Sequence, residues 1–425
     1  MILLYYYQIS YFSSVYINAL FGIFNVSVYN MMLELSLDAD NFQIRKNHCQ
    51  KILRTISPEY VITDIDGELS IVCLDDNYYE CNEPDPALIM CTSGTTGDPK
   101  GVMLSEENIF CNLTDILDYF KITKEDKILI IRPLYHCAVL TGEFLVSLLR
   151  ELDIYFYIDD FNPFKIINLA KRISATVICG TPTLFNFLSR INLIQKDKLQ
   201  LKNIVISGEC ITERTAQSIR NNFSSANIYH VYGLTEASPR VAYLAPEYFE
   251  NNPCAVGHVL NSIEYKIIDD NGLKLQSDNI GELIVKVKSI MLGYFNNSEA
   301  TQNKLCDGWL KTGDMAFVDK DGFLYIKGRK DDMIIHAGIN IYPQEIENAL
   351  RKDLRVGDVL AYGITDEYCG EKIGLKITGD FSNVNEVLEL CKEKLSSYQI
   401  PSTIEIVDEL PKNASGKTVR RKNYE

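Results

Sequence analysis

The sequence predicts an α/β protein: a large N-terminal domain of layered α/β subdomains with a β-rich subdomain, followed by a small α+β C-terminal domain. Three observations predict it. Short apolar runs bounded by polar or turn residues alternate with amphipathic segments, the pattern of parallel strands covered by helices. A stretch of strand-like alternation with repeated turn signals comes next. A charged turn then opens a tail of about a hundred residues with a helix and strand pattern of its own.

The first 33 residues carry no charged side chain, which raises a membrane span or a secretory leader. Gln8, Ser10, Ser13, Ser14, Asn18, Asn25 and Asn30 interrupt the stretch, and it lacks a leader's positive start. It reads instead as a buried strand (Ile2 to Tyr7), a helix (Tyr11 to Phe24) and a second strand (Val26 to Tyr29). Further buried strands are expected at Val61 to Thr63, Lys127 to Ile131, Ala175 to Cys179 and Asn203 to Ile206. Glu106 to Phe120 and Phe164 to Ile173 are the amphipathic segments between them. From about Ser262 to Ile326 the pattern turns β-rich, with turns at Asp270-Asn271-Gly272 and Asp319 to Gly322. The turn Gly328-Arg329-Lys330-Asp331-Asp332 separates a large domain, 1–328, from a small one, 329–425.

At 425 residues the chain exceeds one hydrophobic core, so roughly two to four structural units are expected. With 46% hydrophobic, 10% aromatic and 23% charged residues it has the composition of a globular protein. A formal charge of -15 and no basic run exclude nucleic acid as the expected partner. Twelve cysteines are spread singly, without a C-x-x-C pair or a zinc-like spacing. Reduced, small, buried thiols in a cytoplasmic protein are the expectation.

The densest chemical signal is Thr92-Ser93-Gly94-Thr95-Thr96-Gly97-Asp98-Pro99-Lys100-Gly101, after the apolar run Ala87 to Met90. Its glycines let the backbone turn tightly against a ligand, while four hydroxyls and an ammonium suit phosphate oxygens. A nucleotide is indicated. The loop is not a Walker A motif, because Pro99 stands where that spacing needs glycine and Gly101 where it needs Ser or Thr.

At this loop the chain resembles the adenylate-forming superfamily of acyl-CoA synthetases, peptide-synthetase adenylation domains and luciferases. The superfamily's other motifs follow in order: Tyr232-Gly233-Leu234-Thr235-Glu236, Lys311-Thr312-Gly313-Asp314, Gly328-Arg329-Lys330-Asp331 and Pro411-Lys412-Asn413-Ala414-Ser415-Gly416-Lys417. Each is weak alone, and five in order over nearly the whole chain are specific. The resemblance implies that Thr92, Ser93, Gly94, Thr95, Thr96, Gly97 and Lys100 hold the phosphates of ATP. Tyr232 would pack on adenine with Gly233 in the same cofactor site, Thr235 touch phosphate, and Glu236 hold magnesium, which prefers hard oxygen ligands. Asp314 and Arg329 would contact the ribose. Lys417 matches the catalytic lysine, whose ammonium offsets charge developing between the carboxylate and the α-phosphate.

In this resemblance the small C-terminal domain is mobile and rotates between two half-reactions. Asp331 matches its hinge, and the loop at His336, Ala337 and Gly338 matches the thiol channel for CoA or a carrier-protein phosphopantetheine. Amino-acid-activating members place an aspartate where this chain has His136, in Pro133-Leu134-Tyr135-His136-Cys137, so an α-amino acid is disfavoured. The acid pocket would be lined by His136 to Glu143, Gly180 to Thr183, Ser207 to Cys210 and Val231 to Gly233. A fatty or other hydrophobic acid, or an aryl acid, is expected. Compared with the superfamily the chain starts late and carries Cys91 where an aromatic residue is common. Two rival readings are an acyl-AMP ligase that loads a carrier protein and a truncated, catalytically silent homologue that acts by binding.

Overall fold

Lys127–Ile130, Val177–Gly180 and Asn203–Ile206 are short and largely apolar, and each becomes a strand whose side chains are almost wholly buried. A computed structural model describes the backbone of residues 2–7, 30–35, 60–65 and 68–73, and residues 86–92, 100–159, 161–195 and 197–410 with their side chains. The chain divides into two compact units. One comprises Met1–Tyr265, Ile284–Lys311 and Gly322–Leu324, the other Lys266–Leu283, Thr312–Asp321 and Tyr325–Glu425.

The first sheet of the first unit contains β1 (Ile2–Tyr7), β2 (Asn30–Leu35), β3 (Tyr60–Ile65), β4 (Glu68–Cys73), β5 (Leu88–Thr92) and β6 (Lys100–Leu104). A seventh strand, Gly293–Tyr294, pairs antiparallel with β6 at its edge. β1 lies parallel to both β2 and β3, with Ile2 opposite Asn30 and Tyr60. The expected strand at Ile2 to Tyr7 is therefore present. The expected helix at Tyr11 to Phe24 and strand at Val26 to Tyr29 lie outside the described residues; the observed strand is Asn30–Leu35.

The second sheet positions the site. It is built from β7 (Lys127–Ile130), β8 (Asp153–Phe156), β9 (Val177–Gly180), β10 (Asn203–Ile206), β11 (Asn227–Gly233), β12 (Arg240–Leu244) and β13 (His258–Val259). Its order is β13-β12-β11-β10-β9-β7-β8, and β8, β7, β9, β10 and β11 are parallel neighbours. Parallel strands need crossovers, and helices Pro163–Ile173, Pro182–Ile194 and Glu213–Asn222 supply them. Asn162, Thr181 and Thr212 cap these helices through their side chains, and proline stands in the first turn of the first two. Ser174 ends Pro163–Ile173 in a left-handed conformation, and the amide of Ala175 still bonds Ala170 O, so β9 begins at Val177 and not at Ala175 as the apolar run suggests.

A third sheet has β14 (Glu264–Ile268), β15 (Gly281–Lys286), β17 (Leu305–Cys306) and β18 (Trp309–Val318) in the order β14-β15-β18-β17, with β19 (Leu324–Arg329) on β18. By chain order Gly293–Tyr294 is β16. In the second unit a fourth sheet, ordered β21-β20-β23-β22, comprises β20 (Ile334–His336), β21 (Ile339–Ile341), β22 (Val356–Asp366) and β23 (Gly370–Gly379), with β24 (Thr403–Ile406) parallel to β23. Helices Pro343–Leu350 and Val384–Lys394 pack on it around Ile346, Leu350, Leu375, Ile377, Val387 and Leu390. Among the described residues no helix is long and apolar enough to cross a membrane.

Candidate active site

The two ends of the glycine- and threonine-rich loop face each other across an antiparallel pair, Thr92 on β5 opposite Lys100 on β6, with the Thr92 hydroxyl donating to Lys100 O at 3.5 Å. The residues between them, Ser93, Gly94, Thr95, Thr96 and Gly97 included, lie outside the described residues. β6 also pairs with β16, and Lys100 Nζ lies 5.3 Å from the centroid of the Tyr294 ring. The Tyr294 hydroxyl donates to Glu236 Oε1 at 2.7 Å. Glu236 sits on the single helical turn Thr235–Ala237, whose backbone is anchored by the Met291 amide donating to Glu236 O at 2.9 Å. The root of the loop, an ammonium, an aromatic ring and a carboxylate thus form one cluster. Sequence reasoning missed Tyr294, which stands in a run of Gly, Phe and Asn with no signal of its own.

Tyr232 and Gly233 end β11, where the pairing with β12 slips by a bulge. A Cβ at Gly233 would stand 2.0 Å from Pro239 O, so only glycine lets the two backbones approach, and the Leu234 amide donates to Pro239 O at 2.8 Å. His136 leads into the helix Cys137–Val139, accepting backbone hydrogen bonds from Val139 and Leu140, with its ring 4.4 Å from that of Tyr135. Burial pushes the Cys137 thiol up to about 12, so the thiol next to His136 stays protonated near neutrality and is no nucleophile. Cys179 and Cys391 are buried as expected, but Cys210, Cys254 and Cys306 are exposed, since they fall on loops or at the edge strand β17.

The second unit holds the other residues singled out above. Asp314 is buried on β18; its amide bonds the Thr312 hydroxyl at 3.0 Å, and that hydroxyl donates to Leu283 O at 2.7 Å. Arg329 Nη1 lies 3.2 Å from both Asp314 Oδ1 and Thr312 O, so the two residues assigned to ribose are one ion pair. In the turn that follows, burial opposes the charge of Lys330, but hydrogen bonds to Asp270 and Glu282 outweigh it and raise its pKa. Asp331 lies in that turn, which is closed by Asp332 and Met333 amides donating to Arg329 O and Lys330 O. Ala337 (φ +50°) and Gly338 (φ +80°) form the two-residue connection between β20 and β21, and a Cβ at Gly338 would meet nothing within 4 Å. Lys417 lies outside the described residues.

Layered α/β sheets, with a hydroxyl- and glycine-rich loop rooted beside an acidic turn, define a class of nucleotide-handling protein. The chain belongs to the AMP-binding enzyme family: that family's model matches residues 30–295, and the model of its C-terminal domain matches 345–417. It is 32% identical over 354 residues to a long-chain-fatty-acid–CoA ligase of Bacillus subtilis, covering 81% of this chain and 62% of that protein. It is 32% identical over 339 residues to a 2-succinylbenzoate–CoA ligase of Bacillus licheniformis, covering 80% of this chain and 70% of that protein. Among solved structures it is similar to the o-succinylbenzoate coenzyme A synthetase of Bacillus subtilis in complex with ATP and magnesium ion, with a TM-score of 0.82, 26% identity and coverage of 99% of this chain and 88% of that one. The chain spans less than two thirds of the length of the fatty-acid ligase it matches.

Proposed function

We propose that this chain is an ATP-dependent carboxylic acid ligase that adenylates a hydrophobic or aryl acid and transfers the acyl group to the thiol of CoA. One observation carries the reading: Lys100, Tyr294 and Glu236 converge at the root of the hydroxyl-rich loop. An ammonium and hydroxyls suit phosphate oxygens, and one hard carboxylate beside a phosphate site is the donor set on which magnesium commonly rests. Both therefore fit the residues present. Bound at Glu236, magnesium would neutralise charge on the phosphates.

The acid's carboxylate oxygen attacks the α-phosphorus, forming a P–O bond, as the bond to the β-phosphate oxygen breaks and pyrophosphate leaves. Lys100, Thr92, Ser93, Thr95 and Thr96 hold the departing phosphates, Thr235 touches phosphate, and Lys417 offsets the charge between the reacting oxygens. Tyr232 and Gly233 hold the adenine, while Asp314, paired with Arg329, accepts from the ribose hydroxyls. The thiol then attacks the acyl carbon and AMP leaves. His136 lies beside the acid, Ala337 and Gly338 line the thiol's path, and the small domain, 329–425, turns at Asp331 against the large one, 1–328. The cytoplasm, where ATP and CoA meet reduced thiols, is where this activity would operate.

The test is acid-dependent exchange of labelled pyrophosphate into ATP, over a panel of fatty and aryl acids. Exchange with at least one acid supports the reading; none with folded protein refutes it and leaves a silent binding homologue. Thioester formation on free CoA, compared with that on a phosphopantetheinylated carrier protein, decides the acceptor.

A further inference from the structure

The parallel strands end at one edge of the second sheet, and the residues that leave them are unusually polar. Arg132 follows β7, Thr181 follows β9, and Ser207 and Gly208 follow β10. Ligands of open α/β sheets bind outside such carboxyl ends. A methyl group placed on Gly208 would lie 3.9 Å from Arg132 Nη1 and 3.8 Å from Thr181 Cγ2, with no other described atom beyond its chain neighbours within 4 Å. Among the described residues the guanidinium therefore borders open space.

Its other edge is engaged. Arg132 Nη2 donates to Glu143 Oε1, and Glu143, with its side chain 1% exposed, sits in the π-helical turn Leu140–Leu145. Such turns insert one extra residue into a helix and are frequent at functional sites. Three buried polar atoms of this group, Arg132 Nε, Glu143 Oε2 and Ser207 Oγ, have no hydrogen-bond partner among the described residues. Buried polar groups are normally paired, so this cluster is held at an energetic cost. A Cβ on Gly142 would lie 2.8 Å from Nη2 of the buried Arg240, so a second guanidinium stands against the turn that carries Glu143. Arg240 is hydrogen-bonded to the neutral Tyr119, and Glu236, whose field also reaches this region, is the carboxylate bonded by Tyr294. Arg132 and Arg240 thus both lie close to the turn that carries Glu143.

We propose that Arg132 selects the acid: the pocket accepts an acid bearing a second carboxylate, remote from the reacting one, which binds the edge of Arg132 facing Gly208. A guanidinium edge matches a carboxylate in geometry and charge. This deepens the ligase reading and rests on it. The buried Glu143 orients Arg132 and prevents its other edge from seizing the reacting carboxylate.

The experiment compares pyrophosphate exchange for matched pairs: α,ω-dicarboxylic acids against monocarboxylic acids of equal length, and carboxyl-substituted against unsubstituted aryl acids. In the wild type the diacid of the best pair should exceed its partner in kcat/KM by about 10- to 100-fold, the range of a charged hydrogen bond. The double variant Arg132→Met/Glu143→Leu, which removes both partners of the ion pair together, should bring that ratio to near one. Arg132→Lys, a milder change, should reduce it partway. A wild type that prefers every monoacid, or a ratio unmoved in whichever variant folds, overturns the proposal. No exchange with any acid refutes the ligase reading instead, and the proposal with it.

Discussion

The Tyr294 hydroxyl donates to Glu236 Oε1 across 2.7 Å, tying the edge strand beside the loop to the turn that carries the carboxylate. Lys100 on the neighbouring strand lies over the same ring, so Tyr294 separates cation from anion while touching both. The position of Glu236 therefore depends on β16.

Tyr294→Phe removes that hydrogen bond and leaves the charge of Glu236 in place. The magnesium concentration giving half-maximal exchange should rise roughly 10-fold or more, as expected for loss of one bond to a charged group. Glu236→Gln should shift it further. Identical magnesium titrations for wild type and both variants would remove Glu236 from the metal site.

Lys417→Ala separates the half-reactions. Adenylation should fall by about 100-fold or more, the usual loss of one electrostatic stabiliser, while thioester formation from supplied acyl-adenylate persists. Equal losses in both steps would contradict the role given to this lysine.

Asp314→Asn keeps the side chain's size and removes the charge that faces Arg329 at 3.2 Å. The KM for ATP should rise about 10-fold or more, because an amide accepts ribose hydrogen bonds less strongly than a carboxylate. The wild type should discriminate against 3′-deoxy-ATP, and the variant should lose most of that discrimination. Equal discrimination in both would place the ribose elsewhere.

Ala337 holds φ +50° in the β20–β21 connection, where a Cβ is disfavoured. Ala337→Gly should relieve strain worth up to about 1 kcal/mol, partly offset by glycine's greater unfolded-chain entropy. Slower amide exchange across Ile334–Ile341 would show it, and faster exchange would contradict it.

His230 is buried on β11, with Nδ1 2.8 Å from Ala255 O, and desolvation depresses its pKa from 6.5 to about 4. Below pH 6.5 the unfolded chain takes up a proton that the folded chain refuses, so stability falls as pH drops from 6.5 towards 4. The loss from this group is at most about 3 kcal/mol. Denaturant titrations at several pH values should show a flatter acid limb in His230→Gln than in the wild type.

The strand at Asn203–Ile206 and the helix from Glu106 were legible because each is a local pattern with clear ends: an apolar tetrapeptide, and an amphipathic run behind the capping Ser105. Glu236, Asp314 and Arg329 were legible because the motifs that carry them are contiguous. Tyr294 was not: it reaches Glu236 only because two strands far apart in sequence pair with the same neighbourhood. The Arg132–Glu143 pair was hidden for the same reason, since nothing in the peptide says that a π-helical turn aims Glu143 back at the strand end.

By itself, then, the sequence determined the layered α/β class, the family and the ordered motifs whose residues are proposed for phosphate, adenine and ribose, because these depend on short-range periodicity and contiguous motifs. Only the tertiary structure decided that Tyr294 bridges Lys100 and Glu236, that Ala337 bears a strained turn and that Glu143 pairs with Arg132 at the strand ends. Those are properties of distance and burial between remote segments, and such distances exist only once the sheets have paired.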